Sequence, residues 1–129
     1  MRKIKFRAKT LANGHWVYGN LVIRDKEFVS IRNSKSEPWI DPNTIGQFTG
    51  LYDCKGTEIY EGDVLIYGGQ IKHVVEFKHG MFGYTLLDGW FVGYGGNSNF
   101  TFNPLDKSKE HEVIGNIHDN SELLKGGEK

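Results

Sequence analysis

Cysteine is nearly absent: Cys54 stands alone in 129 residues, which excludes an internal disulfide and fits a reducing compartment. Proline occurs only three times, and no apolar run is long enough to span a bilayer. The opening Met-Arg-Lys-Ile-Lys-Phe-Arg lacks the apolar centre of a secretory leader, so the cytoplasm is the expected address and no membrane partner is expected. Net charge is missing too, with sixteen Lys plus Arg against sixteen Asp plus Glu, so the chain as a whole offers no long-range pull on nucleic acid or an anionic membrane. Segments of 10–15 residues with a helical apolar period are also missing between the strands, which argues against parallel α/β folds.

What is present is aromatic and turn-rich. Eight Phe, six Tyr, three Trp and seventeen Gly suit a core built from short strands. The length fits one domain over 1–125, followed by a flexible tail at 126–129. Ile4, Phe6 and Ala8 alternate with Lys3, Lys5, Arg7 and Lys9, the period of a strand with one buried and one wet face. Asn13-Gly14 suggests a type I′ turn into a second strand from His15, with almost no intervening residues. A third short strand runs from Phe28 to Arg32, and 33–37 has nothing to bury and reads as a mobile loop. Asp41-Pro42-Asn43-Thr44 suits one capped helical turn. Turns are then expected at Asp53-Cys54-Lys55-Gly56, Glu61-Gly62-Asp63, Gly68-Gly69 and Lys78-His79-Gly80. Strands follow at 64–67, 71–77, 81–87 and 111–118. Gly93-Tyr94-Gly95-Gly96-Asn97 reads as a long loop, and Asp119 with Glu122 has the spacing of a capping box for one short C-terminal helical turn. The expected fold is all-β and mainly antiparallel, a small barrel-like or sandwich meander.

Three segments taken together resemble the YopX-like family of phage and prophage proteins. They are Arg2-Lys3-Ile4-Lys5-Phe6-Arg7-Ala8, the run from Gly46-Gln47-Phe48-Thr49-Gly50-Leu51-Tyr52-Asp53 through Ile59-Tyr60-Glu61-Gly62-Asp63-Val64, and Val113-Ile114-Gly115-Asn116-Ile117. The resemblance implies a small, mainly β, barrel-like protein carried by mobile elements. It brings no activity and no catalytic residues.

No residue constellation rises to an active site, so no catalytic residues, metal or cofactors are expected. Glu61 and Asp63 could pair for acid–base work or hold a cation, with a histidine completing a metal-dependent hydrolase. The competing reading is a structural turn at Gly62 and Asp63. His73, His79, His111 and His118 lack zinc-motif spacing, although a hairpin at 78–80 could bring His73 towards His79. Cys54 lies in a turn without the electropositive pocket of a reactive thiol. The glycine run at 93–96 lacks the following helix that a phosphate cradle uses. Binding is the stronger class. A protein partner, including a second copy of the chain, is the first reading for an accessory interaction module. A nucleic-acid-binding barrel is the alternative, using Lys3, Lys5, Arg7 and Lys9 with rings from Tyr60, Tyr67, Tyr84 or Tyr94. For the basic face itself the first reading is a solvated strand face, lysines on a first strand being also a normal guard against edge-to-edge aggregation.

Overall fold

The computed structural model describes residues 3–67, 71–85, 90–93 and 111–120. Over these the chain is antiparallel β throughout, with one 3-10 turn at Pro42–Thr44. The Gly68-Gly69 tip, the glycine run beyond Gly93, the C-terminal helical turn and the tail at 126–129 lie outside the described residues. The chain divides into two compact units, Met1–Gly50 and Leu51–Lys129.

In the first unit, β1 (Phe6–Lys9), β2 (Trp16–Asp25), β3 (Phe28–Arg32) and β4 (Gly46–Tyr52) lie in the order β3-β2-β1-β4. β1 therefore has a neighbour on each side and is no edge strand, which removes the aggregation-guard reading of its lysines. The segment 38–41 covers the free side of β3 through Ile40 N–H to Val29 O and Ile31 N–H to Pro38 O. It also reaches the end of β1 through Asp41 N–H to Lys9 O. Ala8, Val29, Ile31 and Ile40 are buried between these elements, with Phe6, Val17, Leu21 and Ile45 packed round them. Asp41 caps the 3-10 turn by accepting from Asn43 N–H, as its sequence suggests.

Two expected details differ. The β1–β2 connection is a loop over residues 11–14, closed by Thr10 N–H to His15 O. Gly14 has φ +73° but Asn13 does not have a positive φ, so the turn is not type I′. Asn13 instead spends its side-chain oxygen on His15 N–H, which fixes the loop without left-handed backbone at that residue. Residues 33–37 form a hydrogen-bonded turn: Asn33 Oδ1 accepts from Lys35 and Ser36 N–H, and Asn33 Nδ2 donates to Tyr18 O. Its polar side chains satisfy backbone groups, which is how a stretch with no apolar residue is held in place.

In the second unit, the end of β4 turns at 53–57 into β5 (Glu58–Tyr60). β6 (Asp63–Tyr67) lies between β7 (Ile71–Val74) and β11 (His111–Asn116), while β9 (Met81–Thr85) lies between β8 (Glu76–Lys78) and β10 (Phe91–Gly93). Ile59, Leu65, Val75 and Phe82 make the core, with Leu51, Tyr84 and Val113 against it. The strand expected over 71–77 is broken at Val75. Its N–H donates to Asp63 O and its C=O accepts from Gly62 N–H, so the chain leaves one sheet there and enters the next. β8 and β9 meet at Lys78↔Met81 with His79 at φ 54° and Gly80 at φ 77°, the two positive angles of a type I′ hairpin. Among the described residues no helix is long and apolar enough to cross a membrane.

Candidate nucleic-acid interface

Register decides what the basic residues of β1 share a face with. Arg7 is opposite Tyr18 and Lys9 opposite Trp16, and on β2–β3 Asn20 is opposite Arg32 and Val22 opposite Ser30. Directly paired residues point to the same side, so Arg7, Lys9, Trp16, Tyr18, Arg32, Ser30 and Phe28 occupy one face. Trp39, bridged to Ser30, joins them. The opposite face carries Ala8, Val17, Leu21, Val29 and Ile31 into the core.

The cations on this face do not form an even row. Lys3 is exposed ahead of β1. Lys5 is half-buried with Nζ 5.5 Å from the Phe48 ring. Arg7 is only 7% exposed, its guanidinium 4.6 Å from the Trp16 ring, and Lys9 Nζ lies 5.5 Å from the same ring. Trp16 thus holds two cations from β1 on its π surface, an attraction of about 0.5–2 kcal/mol each depending on desolvation. Further along, Phe28 (51% exposed) and Trp39 (48%) meet edge to face at 5.9 Å, and Tyr18 is 44% exposed. Between the rings, Glu37 Oε2 accepts from Arg24 Nη2 at 2.8 Å and Ser30 Oγ at 2.9 Å, and Oε1 accepts from Arg32 Nε at 2.9 Å. Those donors, Arg32 first, then Ser30 and Arg24, hold the Glu37 carboxyl down to about 2.

Charge is divided along the chain in a way its neutral total conceals. The first unit carries nine Lys plus Arg and four Asp plus Glu, net +5, and the second carries seven and twelve, net −5.

The other candidates resolve differently. Gly62, at φ +93°, turns the chain between β5 and β6, a conformation that a side chain resists. Its C=O accepts from Ile117 N–H. Asp63 is buried with Oδ2 on Tyr60 N–H at 2.7 Å, so its carboxylate closes the turn. Asp53 is buried as well, Oδ1 accepting from Lys55 and Thr57 N–H and Oδ2 from Val113 N–H at 3.0 Å. The structure brings His73 to His111, not to His79. The two imidazoles lie edge to face at 5.6 Å, His73 stacks on Tyr84 at 4.0 Å and His111 on Tyr67 at 4.4 Å. Burial first, and His111 second, push His73 down to about 4, while burial and Tyr67 raise the Tyr84 phenol. His79 sits at its hairpin tip, edge-on to Phe91. Cys54 is half-buried, its N–H on His111 O. Among the described residues no three His, Cys, Asp or Glu side chains are grouped to hold a metal. Of the tyrosines expected to stack, Tyr60 is buried with its hydroxyl on Glu58, Tyr67 and Tyr84 stack on the histidines, and Tyr94 lies outside the described residues. Trp16, Tyr18, Phe28 and Trp39 are the rings beside the cations instead.

A model of the YopX protein family matches residues 5–125. The chain belongs to the YopX family. The YopX chain is also similar in structure to protein EF1440 from Enterococcus faecalis, solved by crystallography, with a TM-score of 0.59 and 27% identity over 96% of this chain and 99% of that one. No curated protein matches it. The segments that carry the YopX resemblance have a structural account. Asp53 of the central segment accepts from Val113 of the last one, and Gly62 accepts from Ile117, so the motif residues tie β11 to the turns on either side of β5. The ring-bearing face of the first unit draws most of its members from outside those motifs.

Proposed function

We propose that this YopX protein is a non-enzymatic accessory protein whose first unit binds a single strand of nucleic acid across the β3-β2-β1 sheet. The observation that carries this reading is the shared face. Tyr18, Phe28 and Trp39 are exposed there beside Lys9, Arg24 and Arg32, in a unit of net charge +5. Single-strand binders combine these parts, since every base has a face that stacks on a ring at about 1–3 kcal/mol each, and cations track the backbone between rings. A duplex keeps its bases stacked and offers the rings nothing, so the face selects strands over duplexes. A carrier on a mobile element, as the family resemblance implies, is the setting of this reading.

The test is fluorescence anisotropy of a labelled single strand and the matching duplex, at low and physiological salt. Trp39→Ala and Tyr18→Ala should each weaken strand binding about tenfold, at roughly 1–3 kcal/mol per stacked base. Lys5→Gln with Lys9→Gln should flatten the salt slope by about 0.7 for each phosphate no longer neutralised. A protein partner is the second reading, favoured by Ile23 and Leu11, which add exposed apolar surface to the same unit. Absence of strand binding at low salt would move the assignment to it.

A further inference from the structure

Resting on the strand-binding reading, we infer that Arg24, Arg32 and Ser30 form a phosphate subsite that the protein's own Glu37 carboxylate occupies in the free state. The donor set fits that ligand: two guanidiniums and one hydroxyl converge on the two oxygens of one carboxylate, at 2.8, 2.9 and 2.9 Å. A phosphodiester presents two unesterified oxygens carrying one negative charge, which the same donors can take. The subsite lies between the exposed rings: Ser30 is opposite Val22 on the sheet and bridged to Trp39, and Arg32 is two residues further along β3. A strand stacked on Tyr18 and Trp39 would pass its backbone over it.

The exchange is feasible because the occupant is weakly held. The Arg24 and Arg32 side chains are 53% and 58% exposed, and ion pairs so open to water are screened and exchange readily. Rotation about the Glu37 side-chain torsions vacates the donors without unmaking the 33–37 turn, whose bonds are made by Asn33. Protonation cannot do this at ordinary pH, because the carboxyl stays ionised down to about 2. Glu37 therefore acts as a competitor that sets a threshold: a strand must supply enough stacking and enough other phosphate contacts to displace it. A short or weakly stacking anion displaces Glu37 only at high concentration, where mass action overcomes the tethered carboxylate.

The experiment compares the full chain with Glu37→Gln, and with Glu37→Gln combined with Arg24→Gln and Arg32→Gln, by anisotropy on a labelled single strand at low salt. Removing one negative charge a few ångströms from the phosphate should tighten binding about five- to tenfold. The gain should vanish in the triple variant. A Glu37→Gln chain that binds no tighter than a parent that does bind overturns the subsite and leaves the strand-binding reading standing; failure of both chains to bind overturns both. Binding by the variant alone overturns the threshold role of Glu37, because a strand has to displace that carboxylate from the parent. Should Glu37→Gln lower the unfolding midpoint, a titration of the unmodified protein with inorganic phosphate, followed at the Arg32 Nε–H resonance, gives an independent reading. A saturable shift that a single strand then reverses supports the subsite. No shift overturns it, and a shift that no strand competes with overturns its assignment to a nucleic-acid backbone.

Discussion

Acid should loosen the second unit through one residue. His73 is 7% exposed, opposite Leu65 in the β6–β7 ladder, with its ring stacked on Tyr84 and edge-on to His111. Its ordinary value of 6.5 falls to about 4 in the fold because burial penalises the imidazolium and His111 stands close. The unfolded chain therefore binds a proton that the folded one refuses over that interval. The stability tied to neutral His73 is complete above about pH 6.5 and drains away as pH falls towards 4. At about 1.4 kcal/mol per decade, the loss reaches about 2 kcal/mol at pH 5 and levels off near 3 kcal/mol below pH 4. His73→Phe keeps a flat ring against Tyr84 and removes the proton site, so the difference between the two proteins isolates this residue from the other histidines. The assay is urea unfolding at pH 7 and pH 5, with amide exchange of Leu65 and His73 as the local measure for this unit. The wild-type chain should lose about 2 kcal/mol more than His73→Phe over that interval. Equal losses in both would mean that the buried ring is not what titrates, and the reasoning would fail.

Three further outcomes follow from the geometry. Gly62→Val places a β-branched residue at φ +93° and should cost about 1–3 kcal/mol, read from the urea midpoint. Asp53→Ala strands three backbone N–H groups and should cost about 3–5 kcal/mol, more than Gly62→Val, with loss of exchange protection at Val113 as its signature. Ile40→Ala, at a fully buried position between β3 and the end of β1, should cost about 2–5 kcal/mol and lower the unfolding transition seen by the fluorescence of Trp16 and Trp39.

The fold class was legible because turn chemistry is local. Asp41 capping its 3-10 turn and Gly62 bending the chain before β6 each depend on residues within three or four positions. Partnership between distant segments was not. Nothing in Lys3 to Lys9 tells whether that strand has one neighbour or two, and the answer, two, changes what its lysines are for. The break at Val75 was hidden for the same reason: 71–77 is a plain run of strand formers, and only the bonds to Gly62 and Asp63 show that the chain changes sheets there. His73 finds His111, nearly forty positions away, because both β7 and β11 pair with β6.

The ring-bearing face, by contrast, was within reach. With a type I′ turn at Asn13-Gly14, Lys9 would lie opposite Tyr18; the actual loop puts it opposite Trp16. That slip is two residues, and a slip of two preserves which face each side chain occupies. Either register puts Trp16 and Tyr18 beside Arg7 and Lys9, so the alternation of β2 alone points to these rings ahead of Tyr60, Tyr67 or Tyr84. What concealed the face was averaging. A net charge of zero argues against a polyanion only if charge is spread evenly, and here +5 and −5 belong to different halves of the chain. An anion stacked on the rings responds most to the charges within a Debye length of about 8–10 Å, among them those of Lys9, Arg24 and Arg32 on its own unit. If the face governs strand binding, that binding should survive neutralisation of acids in the second unit with little change at physiological salt, whereas neutralising Lys5 and Lys9 should weaken it. Glu112→Gln, which frees Lys55 on that unit, is the control: an affinity gain matching that of Glu37→Gln would show that total charge, not the face, governs binding.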